Sequence, residues 1–286
     1  MKPDAPVLLE AFHYQFHPAW QTFLRLFDAK DVEEARVVNS LFAGMFPKDD
    51  IRFNYSLSGG TLMDFGSYAV SVVRSVFADE PKEILSATYR PLPPRFDSQC
   101  DEAIFAEYLF PNGGIAKISA DLQARGGYWF PALTKNLPSF NNMLPTLTVK
   151  LRAQTTDRGG ELEESTQTSI IFHNYMGPHL YHRMDIITTV QLKNRVDGKV
   201  IKTEKKIEYK KVYNWPTTSE TLKGDESFST YRFQLEEFVN RIKKRQGSGV
   251  WVEPEESIRQ MEMIDATYLK TGLPLRPTSA ALERIE

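Results

Sequence analysis

The stretch 84–213 is written largely with a period of two residues, the spacing at which successive side chains fall on opposite faces of a β-strand. Candidate strands fall at 84–89, 102–110, 115–123, 147–153, 168–173, 185–193 and 200–213. Pro111-Asn112-Gly113-Gly114 and Asp197-Gly198 are hairpin turn signals between neighbours in that series. At 147–153, Leu147, Val149 and Leu151 alternate with Thr148, Lys150 and Arg152, which makes one sheet face apolar and the other solvated. A chain with this much hairpin-connected strand is expected to build a large, mainly antiparallel open sheet.

Elsewhere the spacing changes. Val7, Leu8 and Leu9 read as a short buried strand, 18–26 as a helix opened by Pro18, and 35–42 as another strand. Tyr68, Val72 and Val76 recur every four residues, so 64–77 is expected to be helical, with Asp64 and Tyr68 on one face. Tyr231, Leu235, Phe238 and Ile242 mark one carboxy-terminal helix. Pro254 opens a second, whose Ile258, Met261, Ile264 and Tyr268 precede Gly272. The class is α+β, with helices at the edges and on one face of the sheet and no fixed-period repeat.

At 286 residues the chain can bury a sizeable core, and its net charge of -2, with both signs interspersed, argues against a nucleic-acid surface or a polybasic membrane patch. Cys100 is the one cysteine, which excludes an intrachain disulfide and fits a reducing compartment. No secretory leader or membrane-length apolar run is evident, so a cytoplasmic protein with a small-molecule substrate is expected.

Three blocks together resemble the Gfo/Idh/MocA oxidoreductases, in the branch of dimeric dihydrodiol dehydrogenases and fungal NADP-dependent D-xylose dehydrogenases. The first is Glu10-Ala11-Phe12-His13-Tyr14-Gln15-Phe16-His17-Pro18-Ala19. The second is Ser58-Gly59-Gly60-Thr61-Leu62-Met63-Asp64-Phe65-Gly66-Ser67-Tyr68. The third runs from Tyr231-Arg232-Phe233-Gln234-Leu235-Glu236-Glu237-Phe238, through Gly249-Val250-Trp251-Val252, to Gln260-Met261-Glu262-Met263-Ile264-Asp265. The order and spacing resemble the family's carboxy-terminal two-thirds. That implies 1–34 as a residual strand and helix that would normally join a Rossmann domain, and 35–286 as a sheet-and-helix substrate and dimerisation domain. No GxGxxG fingerprint occurs in the sequence, so no cofactor-binding residues are assigned. Lys2-Pro3 lies too close to Glu10 to be the family's catalytic Glu-Lys-Pro motif, and Lys2 is given no role.

The resemblance implies that Asp64 and Tyr68 face the substrate, Tyr68 as proton donor and Asp64 binding a hydroxyl or orienting the phenol. Without the resemblance, the favoured reading of the two is a first-turn charge on the helix dipole and a core aromatic. His13 is a third catalytic candidate, set against a buried, hydrogen-bonded structural histidine. Substrate contacts are expected from Arg36, Arg90, His17, Tyr14 and Trp129. The arginines read equally as solvated strand-end charges, and Trp129 as a sheet-edge cover or dimer contact. His173, His179, His182 and Asp185 give a weak zinc signal, and no metal is assigned.

Three functions follow from this reading. The leading one is a cofactor-independent enzyme using acid–base groups for cyclisation, isomerisation, dehydration or a related reaction. The second is an NADP-dependent sugar or dihydrodiol dehydrogenase lacking its cofactor domain in this chain. The third is a non-catalytic ligand-binding or regulatory protein. A homodimer through the β-sheet is expected, because apolar surface around Val7, Leu8 and Leu9 would otherwise be bare.

Overall fold

The computed structural model describes residues 6–94, 96–217 and 219–278. In chain order the elements are a 3-10 turn at His13–Phe16, α1 (Pro18–Leu24), β1 (Val32–Phe42), 3-10 turns at Ile51–Phe53 and Tyr55–Leu57, and a π turn at Leu62–Gly66 that runs into α2 (Ser67–Phe77). There follow β2 (Glu83–Pro91), β3 (Asp101–Leu109), β4 (Ile115–Ala124), the single turn α3 (Pro131–Thr134), β5 (Thr146–Leu151) and β6 (Gln154–Gly159). The chain continues through β7 (Leu162–His173), β8 (Arg183–Asn194), β9 (Val200–Lys210), α4 (Thr230–Ile242) and α5 (Pro254–Thr271). The class is α+β, with antiparallel strands in an open sheet and flanking helices.

The described residues divide into two compact units, 6–35 with 146–257 and 36–145 with 258–278. In the first unit the strands run β5-β7-β8-β9, and β6 pairs with β7. Leu147, Val149, Ile170, Phe172 and Met184 are buried on one side of these strands. Trp20 of α1 stacks on Phe172 at 6.4 Å and on Phe23 at 5.6 Å, and Tyr14 meets Trp20 edge-on at 4.7 Å. α1 starts where it does because Pro18 occupies its first position and the His17 ring accepts the Ala19 N–H at 3.1 Å.

In the second unit β2, β3 and β4 form a meander, with β1 beside β4. α2 buries Val70, Val72, Val73, Val76 and Phe77, and Phe77 stacks flat on Phe110 at 4.0 Å. α5 is tied to this sheet by the buried Tyr108 hydroxyl, 2.9 Å from that of Thr267.

Three expectations are corrected. Residues 7–9 form no strand: Leu8 is 85% exposed, and the neighbouring Glu10 carbonyl accepts a hydrogen bond from Gln234 of α4 (2.9 Å). Three apolar residues without a partner strand leave backbone groups that water serves as well. β6 was not expected; every residue of it is exposed and none is apolar, so periodicity has nothing to register. The helix expected over 64–77 opens instead in a π turn, where the Gly66 N–H reaches back to the Thr61 carbonyl at 2.8 Å. Polar side chains serve the backbone there. Asn39 donates to the Phe65 carbonyl (2.9 Å), the Ser67 hydroxyl to that of Asp64 (2.6 Å), and Gln260 to that of Ser67 (2.6 Å).

The loop before this turn is packed around two glycines. A Cβ on Gly59 would lie 2.6 Å from the Ile51 carbonyl oxygen, and one on Gly60, whose φ is +127°, 2.3 Å from Asp101 Oδ1. Gly60→Ala is therefore expected to lower the unfolding free energy by roughly 3 kcal/mol in denaturant titration. The hairpin control Gly198→Ala, with φ +68° and open space around it, should cost about 1 kcal/mol.

Candidate functional site

The close packing of the double glycine brings the 3-10 turn at Ile51–Phe53 against the start of the π turn and sets Arg52 beside Asp64. The Arg52 Nε donates to Asp64 Oδ2 at 2.7 Å, and its Nη1 to Asp50 Oδ1 at 3.1 Å. Burial works to lower the guanidinium pKa, but its two carboxylate partners outweigh that and raise it. The guanidinium also lies over the Phe46 ring, 4.3 Å from its centre. A cavity of about 150 Å³ opens on this pair, lined by Arg52 and Asp64 with Ser58, the two glycines and Met63 among its walls. Asp64 thus sits at a cavity as an oriented carboxylate. Tyr68 follows in the first turn of α2, half-buried, and is not one of the cavity's lining residues.

The other expected contacts in this unit are placed differently. Arg90 is held by carboxylates: its Nε donates to Glu102 at 2.5 Å and its Nη2 to Asp121 at 2.8 Å, while Arg125 takes the other Glu102 oxygen at 2.5 Å. Arg36 is exposed and lines a separate hollow of about 400 Å³ on the sheet, with Phe105, Glu107 and Lys117. Trp129 is 90% exposed, and the adjacent loop is closed by the Tyr128 hydroxyl on the Pro138 carbonyl (2.7 Å).

His13, Tyr14 and His17 are all buried in the first unit. The His13 ring packs on Tyr231 at 4.0 Å, and His17 lies edge-on to Phe233 at 5.0 Å. Burial, then the nearby His179, lowers the His13 pKa to about 4; burial, then His182 and His179, lowers that of His17 to about 3. His182 accepts the Val212 N–H on Nε2 (2.8 Å), so its Nδ1 carries the proton that is donated to the Pro178 carbonyl (2.7 Å). His173 instead meets Asp185 at 3.2 Å, and that carboxylate is gripped at both oxygens by Arg183. Among the described residues no group of His, Cys, Asp or Glu is placed to hold a metal ion, and no helix is long and apolar enough to cross a membrane.

Residues 20–140 match the GFO/IDH/MocA C-terminal domain. Over 268 residues it is 26% identical to D-xylose 1-dehydrogenase (NADP(+)) 2 of Haloferax volcanii, covering 93% of this chain and 62% of that relative. Over 116 residues it is 29% identical to the uncharacterised oxidoreductase ORF334 of Rhizobium meliloti, covering 40% of this chain and 33% of the other. The fold is shared with an aldose-aldose oxidoreductase of Caulobacter crescentus complexed with glycerol (TM-score 0.56) and with the 3-ketoreductase KijD10 of Actinomadura kijaniata in complex with NADP and TDP-benzene (TM-score 0.55). Each is 15% identical, over 93% of this chain and 62% of the other. The chain thus spans 62% of the length of the first relative and of both structures.

A nicotinamide dinucleotide needs a glycine-rich turn where its pyrophosphate can approach backbone N–H groups at a helix start. The double glycine does precede a helix, but the space a phosphate would need is filled. Ile51 and Asn54 carbonyl oxygens crowd Gly59, and the Asp101 carboxylate, Arg276 and Tyr268 crowd Gly60. The turn does not fit the group.

Arg52 and Asp50 escaped the sequence reading. The Asp-x-Arg spacing is common on any loop, and only the folded loop shows that it faces Asp64. For the histidines, folded pKa values below the unfolded 6.5 mean that stability is complete above pH 6.5 and is lost as pH falls toward 4 for His13 and 3 for His17. Each should cost about 1.4 kcal/mol per pH unit in that window. Denaturant titrations at pH 7 and pH 5 should show this loss, and His13→Asn should reduce its slope by about half.

Proposed function

We propose that this chain supplies the substrate-binding, acid–base part of an oxidoreductase site for small molecules bearing hydroxyl or carbonyl groups. The observation that carries the reading is the Asp64 carboxylate, clamped by Arg52 at 2.7 Å on a cavity and followed one turn later by Tyr68. In this reading Asp64 accepts a hydrogen bond from a substrate hydroxyl. Tyr68 gives a proton to a carbonyl oxygen, or takes one from the hydroxyl in the reverse direction. Similarity to a D-xylose 1-dehydrogenase supports a polyhydroxylated substrate. Hydride then has to come from a dinucleotide held outside the described residues.

A cofactor-independent cyclisation, isomerisation or dehydration would use the same two groups without hydride. His13 enters neither as an acid, because its imidazole stays neutral down to about pH 4.

With D-xylose as probe, saturation-transfer NMR should detect binding to the chain, with Asp64→Asn weakening it at least tenfold and the melting temperature nearly unchanged. Binding that survives both Asp64→Asn and Tyr68→Phe would sink the proposal. NADPH fluorescence titration separates the two readings: turnover of a substrate with no nicotinamide bound establishes the second.

We also propose a homodimer through the sheet. In the first unit one face of β7, β8 and β9 carries Ile171, Ile187, Ile207 and Tyr209, aligned by the pairings Ser169↔Ile187, Ile187↔Ile207 and Asp185↔Tyr209. Ile207 is 42% and Tyr209 64% exposed, on a strand that pairs only with β8 among the described residues. Sedimentation velocity at micromolar concentration should give a dimer that Ile207→Lys converts to a monomer; a monomeric wild type overturns the expectation.

A further inference from the structure

Another hollow, of about 380 Å³, opens in the second unit and shares no lining residue with the one at Asp64. Its walls come from three places: the turn after β1, Phe96 ahead of β3, and the end of β4 with the loop beyond it. Each is anchored. The Ala43 N–H reaches the Ala124 carbonyl at 3.1 Å, which holds the turn after β1 to β4. Phe96 packs on Phe53 at 5.0 Å, and its N–H bonds the Pro93 carbonyl at 2.9 Å. Beyond β4, Arg125 and Pro138 form a β-bridge, flanked by bonds from the Gly126 N–H to the Leu137 carbonyl (2.9 Å) and from the Ser139 N–H to the Ala124 carbonyl (2.8 Å). Walls fixed in this way do not have to be ordered by a ligand.

The lining combines carbon surface with positive charge. Ala43, Phe46, Pro47, Phe96 and Pro138 supply the first, Lys48 and Arg125 the second, and no carboxylate is among the described lining residues. Arg125 is already oriented: its Nη1 donates to Glu102 at 2.5 Å and its Nη2 to Gln123 Oε1 at 3.2 Å, which uses two of the five guanidinium N–H donors. Glu102 is buried and divides its charge, because its other oxygen takes the Arg90 Nε at 2.5 Å. Arg90 in turn pairs with Asp121 at 2.8 Å, so these two arginines and two carboxylates cancel. Lys48 is exposed and makes no ion pair with a described residue, which leaves this group of charges net positive.

We propose that this cavity is a binding site for an aryl carboxylate, whose ring lies against the phenylalanines and prolines and whose carboxylate is held by Arg125 and Lys48. The site is separate from Asp64 and does not depend on the function read there. A small inorganic anion would leave the apolar walls uncovered. A neutral aromatic would take a guanidinium and an ammonium out of water without pairing either. A flat ring carrying one negative charge answers both.

The test titrates the full chain with benzoate, its neutral isostere benzamide, and acetate, by calorimetry for affinity and ¹⁵N NMR for location. Benzoate is expected to bind about tenfold or more tightly than the other two, since benzamide lacks the charge and acetate the ring. It should also move the Gly44 N–H and Asn136 side-chain amide signals. Lys48→Glu, at an exposed position outside the core, should weaken benzoate by roughly tenfold. Arg125→Gln should remove the preference for benzoate over benzamide, and Arg125→Lys should restore part of it. Circular dichroism melting of the Arg125 variants separates lost binding from lost fold, and Lys48→Glu carries the test where they do not fold. Asp64→Asn should leave benzoate affinity unchanged. Benzamide bound as tightly as benzoate, benzoate affinity untouched by Lys48→Glu, binding that leaves the Gly44 and Asn136 signals in place, or no benzoate binding at all overturns the inference. So does loss of benzoate binding in Asp64→Asn, which would put the ligand in the other cavity.

Discussion

The Asp101 carboxylate is fully buried at the start of β3 and accepts three hydrogen bonds, from the Leu62 N–H at 2.7 Å, the Tyr268 hydroxyl at 3.0 Å and the Arg276 Nη2 at 3.0 Å. Burial pushes the carboxyl up, opposed by the Leu62 N–H and the Arg276 guanidinium. Removing one partner from such a group typically costs about 3–5 kcal/mol, because the desolvated charge is left behind. One side chain thus holds together the first residue of the π turn, α5 and the segment after α5. Burial and the neighbouring carboxylate both raise the Tyr268 pKa, so the phenol stays protonated and donates. Arg276 stacks over the Tyr268 ring at 4.0 Å and donates to its hydroxyl at 2.7 Å.

Everything that shapes the Asp64 cavity hangs on this knot. The glycine at position 60 is required because the carboxylate, the guanidinium and the phenol occupy the volume where a side chain would go. With no Cβ in the way, Thr61 bonds through its backbone N–H to the Asp101 carbonyl (3.0 Å) and through its hydroxyl to the Glu102 carbonyl (2.7 Å). These bonds tie the entry of the helix to a strand. A helix anchored at that point and also drawn onto Asn39 and Gln260 reconciles the two with one wide turn, and Asp64 lies inside it.

How much of this could be read from residues alone differs by element. The strand at 115–123 was legible because alternation follows burial: in β4, Ala116, Ile118, Ala120 and Leu122 are buried in turn. β6 was invisible for the converse reason: it is held by backbone pairing to β7, which carries no side-chain signature. Asp64 and the double glycine were legible only through resemblance, since a glycine pair before a helix fits a phosphate turn or a packing contact equally well. What separates these is which atoms fill the space, and Asp101 and Arg276 come from 40 and more residues away in sequence. Arg52 was missed on the same ground, because an arginine's role is set by its neighbours across space.

The two groups of candidate residues face opposite electrostatic regimes, and this decides what each can do. In the first unit, burial and the neighbouring histidines lower the pKa values of His13 and His17, so their protonated forms are disfavoured. His17 shows the consequence directly, because its Nδ1 must be unprotonated to accept the Ala19 N–H that starts α1. Proton exchange at that ring and helix initiation therefore compete for one lone pair. At Asp64 the carboxylate has an ion-pair partner instead. A guanidinium at 2.7 Å compensates a carboxylate that is still open to solvent on one side, so an incoming hydroxyl can be bound without first creating or burying a charge. Polar groups that are oriented by a partner and only partly desolvated are the ones suited to meet a ligand. Arg52 and Asp64 at the double-glycine loop have that arrangement, and the buried His13 and His17 do not.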